Sequence, residues 1–462
     1  MEEDSFVFVE IEDIIQQPQQ NPSHNPRASE YFHDVEKCLD NLEVPLWELN
    51  SFIHKNPELA FREFKAHNAL TEFLKLRPCW RVMPSAYGME TAWVAEYDSG
   101  HAGPVVSFNV EMDALPDLGH ACGHNLIASA SMAAGLATAE VMKRHKLAGK
   151  VILFGTPGEE GYKGGKILFL EKGAYENVDV SLISHPGILH NSPLVRTTAF
   201  ARLEVEYFGR AAHGGKEPWK GINALDALVI SYNAVAALRQ QTMPGDVIGI
   251  AITNGGGKAT NIIHSYAACV CMLHTRTALR LEELQQKVRA CFRAGAEATG
   301  SGINITWTPG YEDHMPNRVL AASYTKYWDL IPDPPQPPIP EPGPGEESFT
   351  WVPSSTDQGN LSHAMPSINV SFAIPPGPKA GQPHTPDFEG AAGTREAFRR
   401  ALRVGKALAG TAIDVLTQPA LLDEVRKQWE HDMDSIGRQE LMNQGGWLLY
   451  DGRDQRHWNY KS

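Results

Sequence analysis

The order that most constrains this chain is a repeated one: a short apolar run, a cluster of polar and titratable residues, then a helix-like stretch. Val105–Val110 leads into Glu111-Met-Asp113-Ala-Leu-Pro-Asp-Leu-Gly-His120-Ala-Cys122-Gly-His124-Asn125. Val151–Phe154 leads into Gly155-Thr-Pro-Gly-Glu159-Glu160-Gly161, and Val178–Ile183 into Ser184-His185-Pro-Gly. Continuous apolar runs separated by helical segments suit strands buried on both faces of a parallel sheet. An open α/β sheet builds its site at the C-terminal ends of such strands, where these clusters lie. The first cluster holds two carboxylates, two imidazoles and a thiol, a donor set typical of a metal site. The chain reads as a metalloenzyme.

The flanking pattern agrees. Residues from about Ala28 to Leu76 show helical spacing that Pro78 would end, and Thr91–Tyr97 is β-like. Asn125–Leu147 reads as a helix with Asn125 as its N-cap, and a short helix is expected around Lys166–Lys172. This β-α-β-α-β series predicts a parallel sheet with helices on both faces.

Near Thr197 the pattern changes. Strand Arg202–Phe208, helix Asn223–Gln241, strands Val247–Thr253 and Ala267–Arg276, helix Leu281–Ala298 and strand Ile303–Thr308 follow in turn. That order is the split-βαβ, ferredoxin-like α+β sandwich, inserted as a domain of its own. Within it, Ala267–Arg276 is expected to be a dimer-forming edge, with Cys269 and Cys271 as apolar core or interface groups. The expected division is a mobile arm at 1–27, a catalytic domain at 28–197 and 311–416, and the inserted lid and dimerisation domain at 198–310. A proline-rich surface insertion is expected at 331–345, and 417–462 forms a tail. Strand Ser367–Ile374, a Pro/Gly loop carrying His384, and helix Ala391–Leu416 complete the second catalytic part.

Composition narrows the function. A net charge of −14 without a basic stripe argues against a nucleic-acid partner. No apolar run is long enough for a membrane span, so no membrane partner is expected. Six irregularly spaced cysteines and no secretory apolar segment at the start predict reduced thiols in a cytoplasmic protein.

Taken together, Met-Asp-Ala-Leu-Pro, His-Ala-Cys-Gly-His-Asn, Gly-Thr-Pro-Gly-Glu-Glu-Gly, Ser-His-Pro-Gly and the late Pro-His-Thr-Pro resemble the M20 metallopeptidases. The resemblance is to their amidohydrolase branch, subfamily D: aminobenzoyl-glutamate hydrolases, auxin-conjugate hydrolases and M20-domain-containing dipeptidases. It runs from about Val44 to Leu416 with every motif in family order.

The resemblance implies a metal-dependent exopeptidase-like α/β catalytic domain with two divalent ions, zinc foremost, manganese or cobalt otherwise. Cys122 would bridge them, with His124, Glu160, His185 and His384 as the other ligands. Glu159 would be the general base for a metal-activated water attacking the amide of an N-acyl amino acid or dipeptide-like substrate. Asp113 and His120 would orient the ligands from behind. In the inserted domain, His213 resembles the lid histidine that reaches into a partner's site to stabilise the oxyanion, which implies a homodimer formed through the lid. Asn261 and Arg276 resemble positions that bind the substrate carboxylate. Glu111 stands where many M20 enzymes have a metal-binding histidine. The segment Ser354–Asn360 resembles a family loop near the site and is expected to pack and hydrogen-bond. Two rival readings remain from the sequence: an amide-forming or acyl-transfer enzyme using the same site, and a catalytically inactive binding protein.

Overall fold

The computed structural model describes residues 28–447 except Tyr162, Pro342 and Pro344, so the expected arm at 1–27 and the end of the tail lie outside the described residues. The described residues open with helices α1 (Ala28–Lys55) and α2 (Phe64–Lys75), then strands β1 (Arg81–Pro84), β2 (Trp93–Asp98) and β3 (Val105–Glu111). Next come α3 (His124–His145), β4 (Lys150–Thr156), α4 (Gly165–Glu171), β5 (Val180–Gly187) and β6 (Val195–Arg196). A second group follows: β7 (Ala199–Phe208), α5 (Ala224–Ala237), β8 (Val247–Asn254), β9 (Tyr266–Thr275), α6 (Ala278–Thr299) and β10 (Gly302–Tyr311). The chain then forms α7 (Arg318–Leu330), β11 (Thr350–Trp351), α8 (Gln358–Ala364), β12 (Ser367–Ala373), α9 (Pro386–Ala392), α10 (Arg395–Thr417) and α11 (Pro419–Trp447).

The large sheet has six strands in the order β1-β2-β4-β3-β5-β12. The strands from β4 to β12 are parallel, but β1 and β2 run antiparallel, so the sheet is mixed and not wholly parallel as the repeated pattern predicts. The cause is local. A tight turn with left-handed Ser85, Tyr87 and Gly88 folds β1 and β2 into a hairpin at the edge. Alternate residues of each strand feed opposite faces: Val151 and Leu153 pack with α1, α3 and α10, while Phe154 packs with Phe169 of α4 and Leu361 of α8. Ala-rich α3 is buried nearly all round, and its Gly135 lets it lie against β4, where a Cβ would come within 2.6 Å of Leu153. Its N-cap is Gly123, not Asn125. The Asn125 side chain is instead buried, donating to Asn50 and to the Ala392 carbonyl, each at 3.0 Å.

The second sheet is antiparallel, in the order β10-β7-β9-β8, with α5 and α6 packed on it around a separate core. Ala201, Leu203, Val205 and Tyr207 alternate inward from β7 and meet Ala267, Cys269, Cys271 and Leu273 of β9. Strand β9 is therefore central, hydrogen-bonded on both sides, and cannot be the expected dimer-forming edge; the edges are β8 and β10. No helix among the described residues is long and apolar enough to cross a membrane.

Candidate active site

The C-terminal ends of β3, β4 and β5 and the start of α3 bring the polar clusters to one place. Gly123 sits at φ 80° where any Cβ would lie 2.5 Å from Pro186, so this glycine lets the Cys122 turn close onto the end of β5. Cys122 Sγ then stands 3.3 Å from His185 Nε2. His185 Nδ1 is 2.8 Å from the Pro186 carbonyl, which can only accept, so this nitrogen carries the proton and Nε2 presents a lone pair. His124 is held the same way, its Nδ1 lying 3.0 Å from Asp113 Oδ1. The other oxygen of Asp113 accepts the backbone N–H of Glu160 at 2.8 Å. His384 has a left-handed backbone at φ 69°, its N–H donates to the Ala121 carbonyl at 2.8 Å, and its Nε2 lies 3.2 Å from Glu160 Oε1.

The expected ligands thus converge. The donor atoms of Cys122, His124 and His185 lie within 4.8 Å of one another, as do those of Cys122, Glu160 and His384. Cys122 belongs to both groups. Glu159 joins His124 and Glu160 in a third such group, its Oε2 being 3.8 Å from His124 Nε2. Among the described residues, the buried His124 Nε2 and Glu111 Oε2 have no hydrogen-bond partner, although 3.4 Å apart. Orphaned buried donors beside a thiol and carboxylates fit a divalent cation, and the mixed S/N/O set suits zinc, manganese or cobalt over a calcium cage.

Electrostatics point the same way. Burial and Glu160 push the Cys122 thiol well above its ordinary range. Burial with Glu111, Glu160 and Asp357 lifts Glu159 strongly as well. Glu160, despite burial, is pulled down to about 2 by its His384 hydrogen bond and by His124. A cation held here would favour every anionic form, since coordination deprotonates a thiol outright.

Three participants escape sequence reasoning. Fully buried Lys166 donates to Glu111 Oε1 at 2.6 Å and to Asp357, whose second oxygen accepts the Lys166 N–H at 3.0 Å. Asp357 lies in the 354–360 loop expected to hydrogen-bond, but nothing in sequence pairs it with Lys166. Tyr311, at the end of β10, donates to the Glu159 carbonyl at 2.6 Å.

The remaining expected residues lie elsewhere. His120 is buried, its ring stacked on His54 with centroids 6.2 Å apart, and neither ring nitrogen is hydrogen-bonded to a ligand; burial drives its pKa down to about 3. His213 and Asn261 are exposed neighbours in the second unit, joined by the Gly214 N–H to Asn261 carbonyl bond at 2.7 Å. His213 Nδ1 accepts from the N–H groups of Gly215 and Lys216, so a neutral ring keeps its proton on Nε2, ready to donate. Neither residue lines the cavity beside the cluster. That cavity, about 580 Å³, is lined by Ile188, Leu189, Val195, Trp351 and Pro353 together with Cys122, Glu159 and His384. Exposed Arg276 places its guanidinium 5.1 Å above the Trp351 ring, one side chain away from the cavity.

Known proteins share this arrangement of sequence. Residues 196–299 match the family model for the peptidase dimerisation domain. The chain is 38% identical to the Xaa-Arg dipeptidase of Mus musculus, over 87% of this chain and 91% of that protein. It is 37% identical to the Xaa-Arg dipeptidase of Homo sapiens, over 85% and 91%. A dinuclear metal-binding peptidase of the M20 family from Bacillus subtilis shares the fold, with a TM-score of 0.59 at 17% identity over 81% of this chain and 99% of that one. With its relatives aligned over nearly their whole length, the chain belongs to the M20 metallopeptidase family, and it is an amide-bond hydrolase.

Proposed function

We propose that the protein hydrolyses the amide of an N-acyl amino acid or dipeptide at a two-metal centre held by Cys122, His124, Glu160, His185 and His384. The observation carrying this reading is the pair of donor groups that share Cys122. A divalent pair bound there would polarise the amide carbonyl and lower the pKa of a water. Glu159 takes the proton and passes it to the departing amine nitrogen; burial and its neighbouring carboxylates raise its affinity for that proton, which suits a shuttle. Asp113 fixes the His124 ring and the Glu160 backbone. The apolar wall of Ile188, Leu189, Val195, Trp351 and Pro353 suits an uncharged acyl group.

His213, with Asn261 beside it, would act from a second subunit, donating to the developing oxyanion and holding the substrate carboxylate. Arg276 assists at the cavity edge. The match to a dimerisation domain supports this arrangement. So do the exposed apolar side chains of Val229, Ile230 and Tyr232 on α5 and of Ile252, which edge strand β8 presents on the helix-packed side of its sheet. The contact strand is then β8.

The test is an assay of protein loaded in turn with zinc, manganese and cobalt, against N-acyl amino acids and dipeptides, beside Glu159→Gln. The variant should keep its metals and lose about 10²–10⁴-fold in kcat. Unimpaired turnover by Glu159→Gln would remove Glu159 from the chemistry.

A further inference from the structure

The turn Gly158–Gly161, which carries Glu159 and Glu160, is pinned by side chains from three distant parts of the chain. Buried Glu63 accepts the Gly158 N–H at 2.8 Å, and Asp113 accepts the Glu160 N–H at 2.8 Å. The third pin differs in origin. Tyr311 is the last residue of β10, where the chain leaves the four-stranded sheet and returns to the six-stranded one. Its hydroxyl donates to the Glu159 carbonyl at 2.6 Å and reaches the Gly161 carbonyl as well, so one proton serves two acceptors across the turn.

Packing alone does not call for that hydroxyl. The ring is buried beside Phe200, with centroids 6.0 Å apart, and a phenylalanine would fill the same space. A buried hydroxyl is costly unless bonded, and among the described residues this one bonds the turn that carries Glu159. The β10–β7 pairing also shifts register between Thr308 and Tyr311, so one extra β10 residue precedes the Tyr311–Phe200 pair and re-aims the Tyr311 side chain.

We propose that Tyr311 is a positioning residue that sets the Glu159 carboxylate from the side of the four-stranded sheet, so that the placement of that sheet reaches the base through one phenol hydroxyl. The proposal rests on Glu159 being the base. Small displacements of a positioned group cost much rate, because catalysis depends on near-attack geometry.

The experiment uses the full-length, metal-loaded protein and Tyr311→Phe, with steady-state kinetics, metal analysis and thermal unfolding. The expected result is a loss of about tenfold or more in kcat, with KM and metal content unchanged. Unchanged kcat overturns the proposal. So does a loss that merely tracks lost metal or lost folded protein, which would mean a structural role. A double variant separates this proposal from the one beneath it. In a Glu159→Gln background, Tyr311→Phe should reduce the residual kcat no further, because the hydroxyl acts through Glu159. Additive losses would overturn the positioning role while leaving Glu159 as base. A fully active Glu159→Gln single variant would instead overturn the base.

Discussion

Asp113 and His124 are coupled at 3.0 Å through Oδ1 and Nδ1, and that contact decides which face of the imidazole the cluster receives. Asp113 is fully buried two residues beyond the end of β3, and His124 is the first residue of α3, so the pair fastens the strand's exit to the helix behind the donor atoms. Carboxylate–histidine pairs of this kind fix the tautomer and raise the basicity of the other nitrogen.

Asp113→Asn should therefore weaken metal binding without abolishing it. The amide oxygen still accepts from Nδ1, but the negative charge is gone. A loss of about 10–100-fold in affinity is expected, read by chelator competition during zinc titration. Affinity equal to the parent protein would show that the ring needs no such support.

How far the sequence reveals this site depends on chain separation. Cys122 and His124 are two residues apart, and Glu159 and Glu160 are adjacent, so their chemistry is visible as motifs. Lys166 and Asp357 are 191 residues apart, and neither carries a local sign that the other exists. Tyr311 likewise lies 152 residues from the carbonyl it holds. The split-βαβ order is readable because alternation and helical spacing are local. Alternation tells which side chains of β9 face inward, but not which strands flank it, and so its central place is missed. The hairpin of β1 and β2 was hidden for a similar reason: Pro84, Ser85 and Gly88 mark a turn, but nothing local shows that the four residues Arg81–Pro84 pair as a strand with β2.

The buried lysine makes a prediction about stability. Lys166 is the counter-charge for Glu111 and Asp357, all three removed from water. Burial opposes its charge, but Asp357, Glu111 and Glu159 outweigh that and raise its pKa above the ordinary lysine value. A raised folded pKa means stability that is fully present below the unfolded pKa and is lost as pH climbs through the folded one, so the contribution is intact at neutral pH. Lys166→Met would leave two uncompensated buried carboxylates and should cost about 3–5 kcal/mol, measured as a fall in the urea midpoint at pH 7. Adding Asp357→Asn should recover part of that loss. A midpoint unchanged by Lys166→Met would mean the carboxylates are already protonated in the folded protein.

The exposed position of His213 yields the last prediction. His213 and Asn261 stand together on the second unit, away from the cavity that holds Glu159. If each site borrows its oxyanion donor from the neighbouring subunit, a chain lacking Glu159 and a chain lacking His213 are deficient in complementary ways. Symmetric dimers present the same patch twice, so a mixed pair has one site with both defects and one with neither. Glu159→Gln and His213→Ala proteins, each inactive alone, should then regain activity on mixing, up to about a quarter of the parent rate if subunits exchange at random and sites act independently. Native mass spectrometry of differently tagged chains establishes that exchange has taken place. Exchange with no recovery would place His213 at its own chain's site or outside the reaction, and would also remove the role given to β8 in forming a shared site.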